Sequence, residues 1–205
     1  MNPPAQKAPA GLLLARGLSV IGHPALLMPL AVSLSTRARG APADVVNAAT
    51  AAAVGVALLV GLYSLWRARS GAWQHVDASV PHERLELNRR LVLLLAGGAA
   101  LGAALGASAV VVGGLLACAA LVGGALLLRR WLKVSLHTGF AAFAACLLWP
   151  VTAWCALTAA LAVGVAWSRW RLQRHTQAEI VVGALLGMGV GVGFQLGLAL
   201  QAAGV

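Results

Sequence analysis

The sequence predicts an all-α fold, a polytopic transmembrane helical bundle of six or seven spans. Three observations carry that expectation. Apolar residues make up 60% of the chain and charged ones only 10%, where a soluble domain carries about a quarter charged. The charges gather in short stretches, and most of the apolar runs between them lack the polar face that a soluble helix turns to water. Residues 91–128 contain no charge at all. As one helix they would reach about 57 Å, roughly twice the hydrocarbon thickness of a bilayer, so they read as two spans.

Taken in order, residues 1–10 are rich in Pro and Ala and are expected to be disordered, and residues 11–205 form a single transmembrane domain. The first span covers about 14–35 and contains His23-Pro24. It is too long for a signal peptide, lacks a clear cleavage site and is expected to stay as a span. Residues 36–44 are a short loop with Arg37, Arg39 and Asp44, and the second span covers about 45–66. Residues 67–90 are the longest polar segment. The charge-free run then divides near Gly106-Ala107-Ser108, and Arg129, Arg130 and Lys133 mark an interface. Further spans cover about 134–149 and 151–167 with Pro150 at the turn between them, and a last span covers about 176–203.

Parity puts the polar segments 67–90, 129–137 and 168–175 on one side, since two spans separate each from the next. Trp66, Trp73, Trp131, Trp167 and Trp170 fall on that side as an interfacial belt, with Trp149 and Trp154 at the opposite turn. Gly98, Gly102 and Gly106, and again Gly183, Gly187 and Gly191, recur every fourth residue. Such ladders let backbones approach closely.

The net charge of +10 does not argue for nucleic acid. The basic residues sit at the ends of apolar spans, where topology and lipid phosphates explain them. Eleven of the fifteen Lys and Arg residues lie on the side of the three polar segments, so the positive-inside rule puts that side in the cytoplasm. Cys118, Cys146 and Cys155 lie in apolar runs and read as small buried hydrophobes. His75, Asp77, His82 and Glu83 match no familiar metal-ligand spacing and read as a solvated loop, so no metal and no cofactor is expected.

The chemistry gathers in two segments, 133–137 and 168–179. His175 and Glu179 are four residues apart at a helix start and share a face. A carboxylate beside an imidazole fixes its tautomer and makes the free nitrogen a better nucleophile. The stretch Ser168-Arg169, five residues, His175, three residues, Glu179 resembles the third signature motif of the type 2 phosphatidic acid phosphatase (PAP2) superfamily. Val134-Ser135-Leu136-His137 resembles its second, usually Pro-Ser-Gly-His. The resemblance covers roughly residues 130–200 and is to a divergent bacterial-type member of the inner membrane.

It implies a helical-bundle phosphatase that hydrolyses a phosphomonoester or diphosphate of a membrane lipid through a phosphohistidine. By resemblance His175 is the nucleophile, Glu179 stands where the family carries Asp, and His137 is the general acid. Arg169, Ser168, Ser135 and Lys133 hold phosphate oxygens. The family's first motif, Lys-x6-Arg-Pro, is absent, and Lys133, Arg84, Arg89 and Arg90 are the cations that could replace it. Many bacterial relatives face outward, so a periplasmic site stays open beside the cytoplasmic one. Two other classes remain. One is a non-catalytic descendant that binds lipid phosphates or scaffolds a complex, which the missing motif and Glu179 favour. The other is a small transporter that uses His23 and the basic patch.

Overall fold

The computed structural model describes residues 10–149 and 151–204. Residues 1–9, most of the segment expected to be disordered, and Pro150 lie outside the described residues. Among the described residues the chain is helical throughout: α1 (Ala10–Ile21), α2 (Pro24–Ala38), α3 (Ala43–Arg69), α4 (Pro81–Ala104), α5 (Ala109–Leu128), α6 (Leu136–Leu147), α7 (Thr152–Arg171) and α8 (Gln177–Ala202). Helices are the natural answer for such a chain, because a bilayer offers no partner to an unpaired backbone N–H or C=O.

By length and apolar composition α3, α4, α5 and α8 can cross a membrane, and α1 with α2 makes a fifth span if the bent pair is counted as one. That is fewer than the six or seven expected from the sequence. The difference lies in the α6–α7 hairpin. α6 has 12 residues, about 18 Å at the helical rise, well short of the hydrocarbon thickness. α7 has 20 residues, but Trp154, Thr158, Trp167, Ser168 and Arg169 dilute its apolar character.

The first expected span is broken. Pro24 has no N–H to donate and disfavours helix in the residue before it. His23 instead caps α2, its Nδ1 accepting the Ala25 N–H at 3.2 Å. The two helices meet at 51°. Gly22 lies so close to α7 that a Cβ there would sit 2.1 Å from Val165 Cγ2, so the elbow is packed in place.

The polar segment 67–90 is not a free loop. Pro81 starts α4 at a position that needs no N–H. Glu86 gathers Tyr63 Oη, Trp73 Nε1 at 3.1 Å and Arg67 at 2.9 Å. Glu83 is fully buried and accepts the Gln74 N–H. Trp73, expected in the interfacial belt, is therefore buried, while Trp66, Trp131 and Trp170 are exposed. The charge-free run turns at Leu105–Ser108, with Gly106 at φ +74°, a conformation that suits glycine.

α6 is the centre of the molecule, and nine of its twelve residues are buried. It packs against α8, α7, α2 and α5. The core around it includes Leu121, Val122, Phe143, Ala144, Leu147 and Val165. α8 approaches α6 through its glycines. A Cβ on Gly183 would lie 2.5 Å from Ser135 O, one on Gly187 2.0 Å from Gly139 O, and one on Gly191 2.5 Å from Cys146 Cβ. The other ladder meets only ordinary contacts: Gly98 faces Leu115 at 3.6 Å and Gly102 faces Ala107 at 3.5 Å. At the C-terminal end of α6, Ser35 Oγ donates to Leu147 O at 2.7 Å and Gln195 Nε2 donates to Cys146 O. Arg39 holds Gln195 Oε1 in turn. These bonds satisfy carbonyls that a helix end leaves orphaned.

Candidate active site

The close α6–α8 contact sets two helix starts side by side, with Ser135 N donating to Glu179 O at 3.1 Å. α7 ends at Arg171, the chain turns through Gln173 at φ 54°, and Thr176 caps α8. Thr176 and Glu179 form a capping box: Thr176 Oγ1 accepts the Glu179 N–H at 3.3 Å, and Glu179 Oε2 accepts the Thr176 N–H at 3.1 Å.

The same Oε2 lies 3.0 Å from His175 Nδ1, which also lies 3.1 Å from Lys133 O. Both neighbours are acceptors, so the Nδ1 of the neutral ring carries the proton and Nε2 carries the lone pair. The His175 side chain is only 7% exposed. Burial, and then the charges of Lys133 and Arg169, hold its pKa down at about 4 against the opposing pull of Glu179. At neutral pH this imidazole is a free base.

Around it stand cations. Arg169 at the end of α7 donates from Nη1 to Ser19 Oγ at 3.0 Å, while its buried Nε has no partner among the described residues. Lys133 Nζ donates to Arg174 O at 2.8 Å. Its pKa is lowered by burial first and by Arg84 second. Arg84 donates from Nη1 to Ser79 O at 3.2 Å. Arg174 pairs with Asp77 at 3.7 Å and ties the loop before α4 to the turn before α8. His137, in the first turn of α6, meets His23 edge to face, with ring centroids 4.9 Å apart and planes at 82°.

His23, Arg84, Lys133, His137, Arg169 and His175 all line one cavity of about 980 Å³. From this basic and histidine-rich end the cavity runs between α2, α3, α4 and α5 to Arg39 and Leu198, over an almost wholly apolar wall. Along α3 it touches residues from Ala49 to Ser64, about 22 Å at the helical rise.

The structure thus gathers six of the residues singled out in the sequence: His175, Glu179, His137, Arg169, Lys133 and Arg84. Five of these line the cavity and Glu179 stands behind His175, while the remaining motif residues are turned elsewhere. Ser135 is buried with its hydroxyl 3.0 Å from Thr138 Oγ1, and Ser168 is buried with its hydroxyl on Val165 O at 2.7 Å. Arg90 is exposed, paired with Glu86 and set over the Tyr63 ring, and Arg89 is exposed as well. Two residues outside the motifs join the site, Ser19 and His23. His23 was visible as an ionisable side chain in an apolar run, but its partner His137 lies far along the chain.

Chemically, the set offers several N–H donors and cations in a cavity shared with an unprotonated imidazole. That arrangement receives an anion and suits phosphate oxygens. Among the described residues no three His, Cys, Asp or Glu side chains gather as a cation site. No family model, curated protein or solved structure matches the chain.

Proposed function

We propose that this protein is an integral-membrane phosphatase of the PAP2 type, hydrolysing a phosphomonoester or diphosphate of a lipid, isoprenyl or glycerolipid. One observation carries the reading. His175 has Nδ1 held by Glu179 and Lys133 O, which leaves Nε2 as a base in a cavity shared with Arg169, Lys133, Arg84 and His137.

In this mechanism His175 Nε2 attacks phosphorus and the bond from phosphorus to the leaving oxygen breaks, its electron pair going to that oxygen. Arg169, Lys133 and Arg84 balance the charge on the phosphoryl oxygens. His137 gives its proton to the leaving oxygen. Water then attacks the phosphohistidine, losing a proton to His137, and Nε2 leaves as the free base. Glu179 stabilises the positive charge that the His175 ring carries while phosphorylated.

The apolar remainder of the cavity suits a lipid tail, and a lateral opening between helices would admit one, since Leu26 on its wall is 53% exposed. On this reading α1 with α2, α3, α4, α5, α6, α7 and α8 make the seven-span bundle, with its site facing the cytoplasm of the inner membrane. The test is phosphate release by purified protein in detergent from phosphatidate, phosphatidylglycerol phosphate, and short and long isoprenyl phosphates and diphosphates, with EDTA and no added metal. Release that His175→Ala abolishes is the expected outcome. No release from any substrate by well-folded protein would leave a lipid-phosphate binder instead.

A further inference from the structure

His175 and His137 are held differently. The His175 ring is fixed by a carboxylate and a carbonyl at 3.0 and 3.1 Å. His137 has no hydrogen bond of its ring among the described residues, and its orientation depends on packing. The aromatic neighbour in edge contact with it is His23, at 4.9 Å between centroids.

His23 has a hydrogen bond of its own. Its Nδ1 accepts the Ala25 N–H, so a neutral ring carries its proton on Nε2. The elbow that presents it is pinned at Gly22 against Val165, and α1 is tied to α7 through Ser19 and Arg169. One feature, the bend between α1 and α2, therefore delivers a hydroxyl to Arg169 and an imidazole to His137.

We propose that His23 is a positioning residue, holding the His137 ring in the plane from which it protonates the leaving group. The proposal rests on the phosphatase reading and adds a residue outside both motif segments. His23 touches neither phosphorus nor the nucleophile in this role, so its effect passes through His137 alone.

A general acid matters most where the leaving oxygen is a poor leaving group. Two probes separate the cases: dodecyl phosphate, whose alkoxide needs a proton, and p-nitrophenyl phosphate, whose aryl oxide leaves without one. Two variants separate the ring from the cap. His23→Asn keeps a side-chain acceptor for the Ala25 N–H and removes the ring, while His23→Phe keeps a ring edge and removes the cap.

The expected result for His23→Asn is a loss of about tenfold in kcat/KM on dodecyl phosphate, the size of one aromatic contact. kcat/KM on p-nitrophenyl phosphate should hold, because that ratio excludes the later hydrolysis of the phosphohistidine, in which His137 also takes part. His23→Phe should keep most of the turnover. In a His137→Ala background His23→Asn should cost nothing more, as residues acting through one another do.

An equal loss of kcat/KM on both probes, full additivity with His137→Ala, or activity that follows the cap and not the ring would each overturn the role of His23 while leaving the phosphatase intact. A wild-type protein that releases phosphate from neither probe would overturn the phosphatase reading and this role with it.

Discussion

Glu179 is one methylene longer than the aspartate of the motif it resembles, and the extra reach is used. A single oxygen, Oε2, meets both the Thr176 N–H and His175 Nδ1. Glu179→Gln separates the two duties. Glutamine still closes a capping box, so the melting temperature should change little. The negative charge beside the imidazole is lost, and turnover should fall by about a hundredfold or more, by analogy with the loss of a triad carboxylate. Steady-state kinetics beside a thermal melt checks both halves. The depressed pKa of His175 has its own consequence. In the fold it titrates at about 4, against 6.5 for an unperturbed ring. As pH falls, the unfolded chain takes up this proton first. Stability is therefore unaffected by this group above the unfolded value, declines from 6.5 down to about 4, and levels off below. The denaturation midpoint of wild type should fall relative to that of His175→Phe as pH drops through that window. The His175–Glu179 pair was legible because it is local: two residues on one face at a helix start. The burial of the Ser135 and Ser168 hydroxyls was not, because it depends on which way one turn of helix faces.

Helix α8 is a separate lesson in what spacing encodes. The glycine ladders of α4 and α8 look alike in sequence, yet only one is a contact surface. Opposite α8 stands the backbone of α6 at Ser135 and Gly139, with nothing large between. Opposite α4 stands the Leu115 side chain, which a Cβ on Gly98 would meet at an ordinary 3.6 Å. Period four reports that a face is small; the size of the facing residue decides whether two backbones meet. Gly187→Ala would set a methyl 2.0 Å from Gly139 O. It should destabilise the protein by about 1–3 kcal/mol or more, the usual cost of overpacking. Gly189→Ala, two residues on, meets nothing within 4 Å and should be neutral or gain up to about 1 kcal/mol from helix propensity. Thermal unfolding of the two variants in one detergent gives the comparison. The broken first helix was half legible: Pro24 announces a bend, but its fixation against Val165 requires knowing that α7 lies there.

Across the whole molecule, the parity of apolar runs foretold that segments 67–90, 129–137 and 168–175 meet. The Asp77–Arg174 pair and the Lys133–Arg174 hydrogen bond join all three. What hydropathy overstated was the number of helices able to cross a bilayer unaided, since it does not register that α6 is sheltered by its neighbours. Sidedness is open to a direct check. With Cys118, Cys146 and Cys155 replaced by alanine, the cytoplasmic orientation proposed from the basic residues predicts that Ser79→Cys on the cavity wall escapes an impermeant thiol reagent in intact cells and reacts after permeabilisation. The shortness of α6 has another consequence. A helix about 18 Å long that is buried on nearly every side takes no part in matching the thickness of the surrounding bilayer. That adjustment falls to the outer helices, α3 with 27 residues above all, which can tilt while α6 and the backbone of α8 stay locked through Gly187. The centre of this protein is insulated from the membrane's own dimensions. Its thermal stability should therefore vary little between vesicles of short-chain and long-chain lipids, where a bundle of uniformly lipid-facing helices pays a mismatch cost with every ångström.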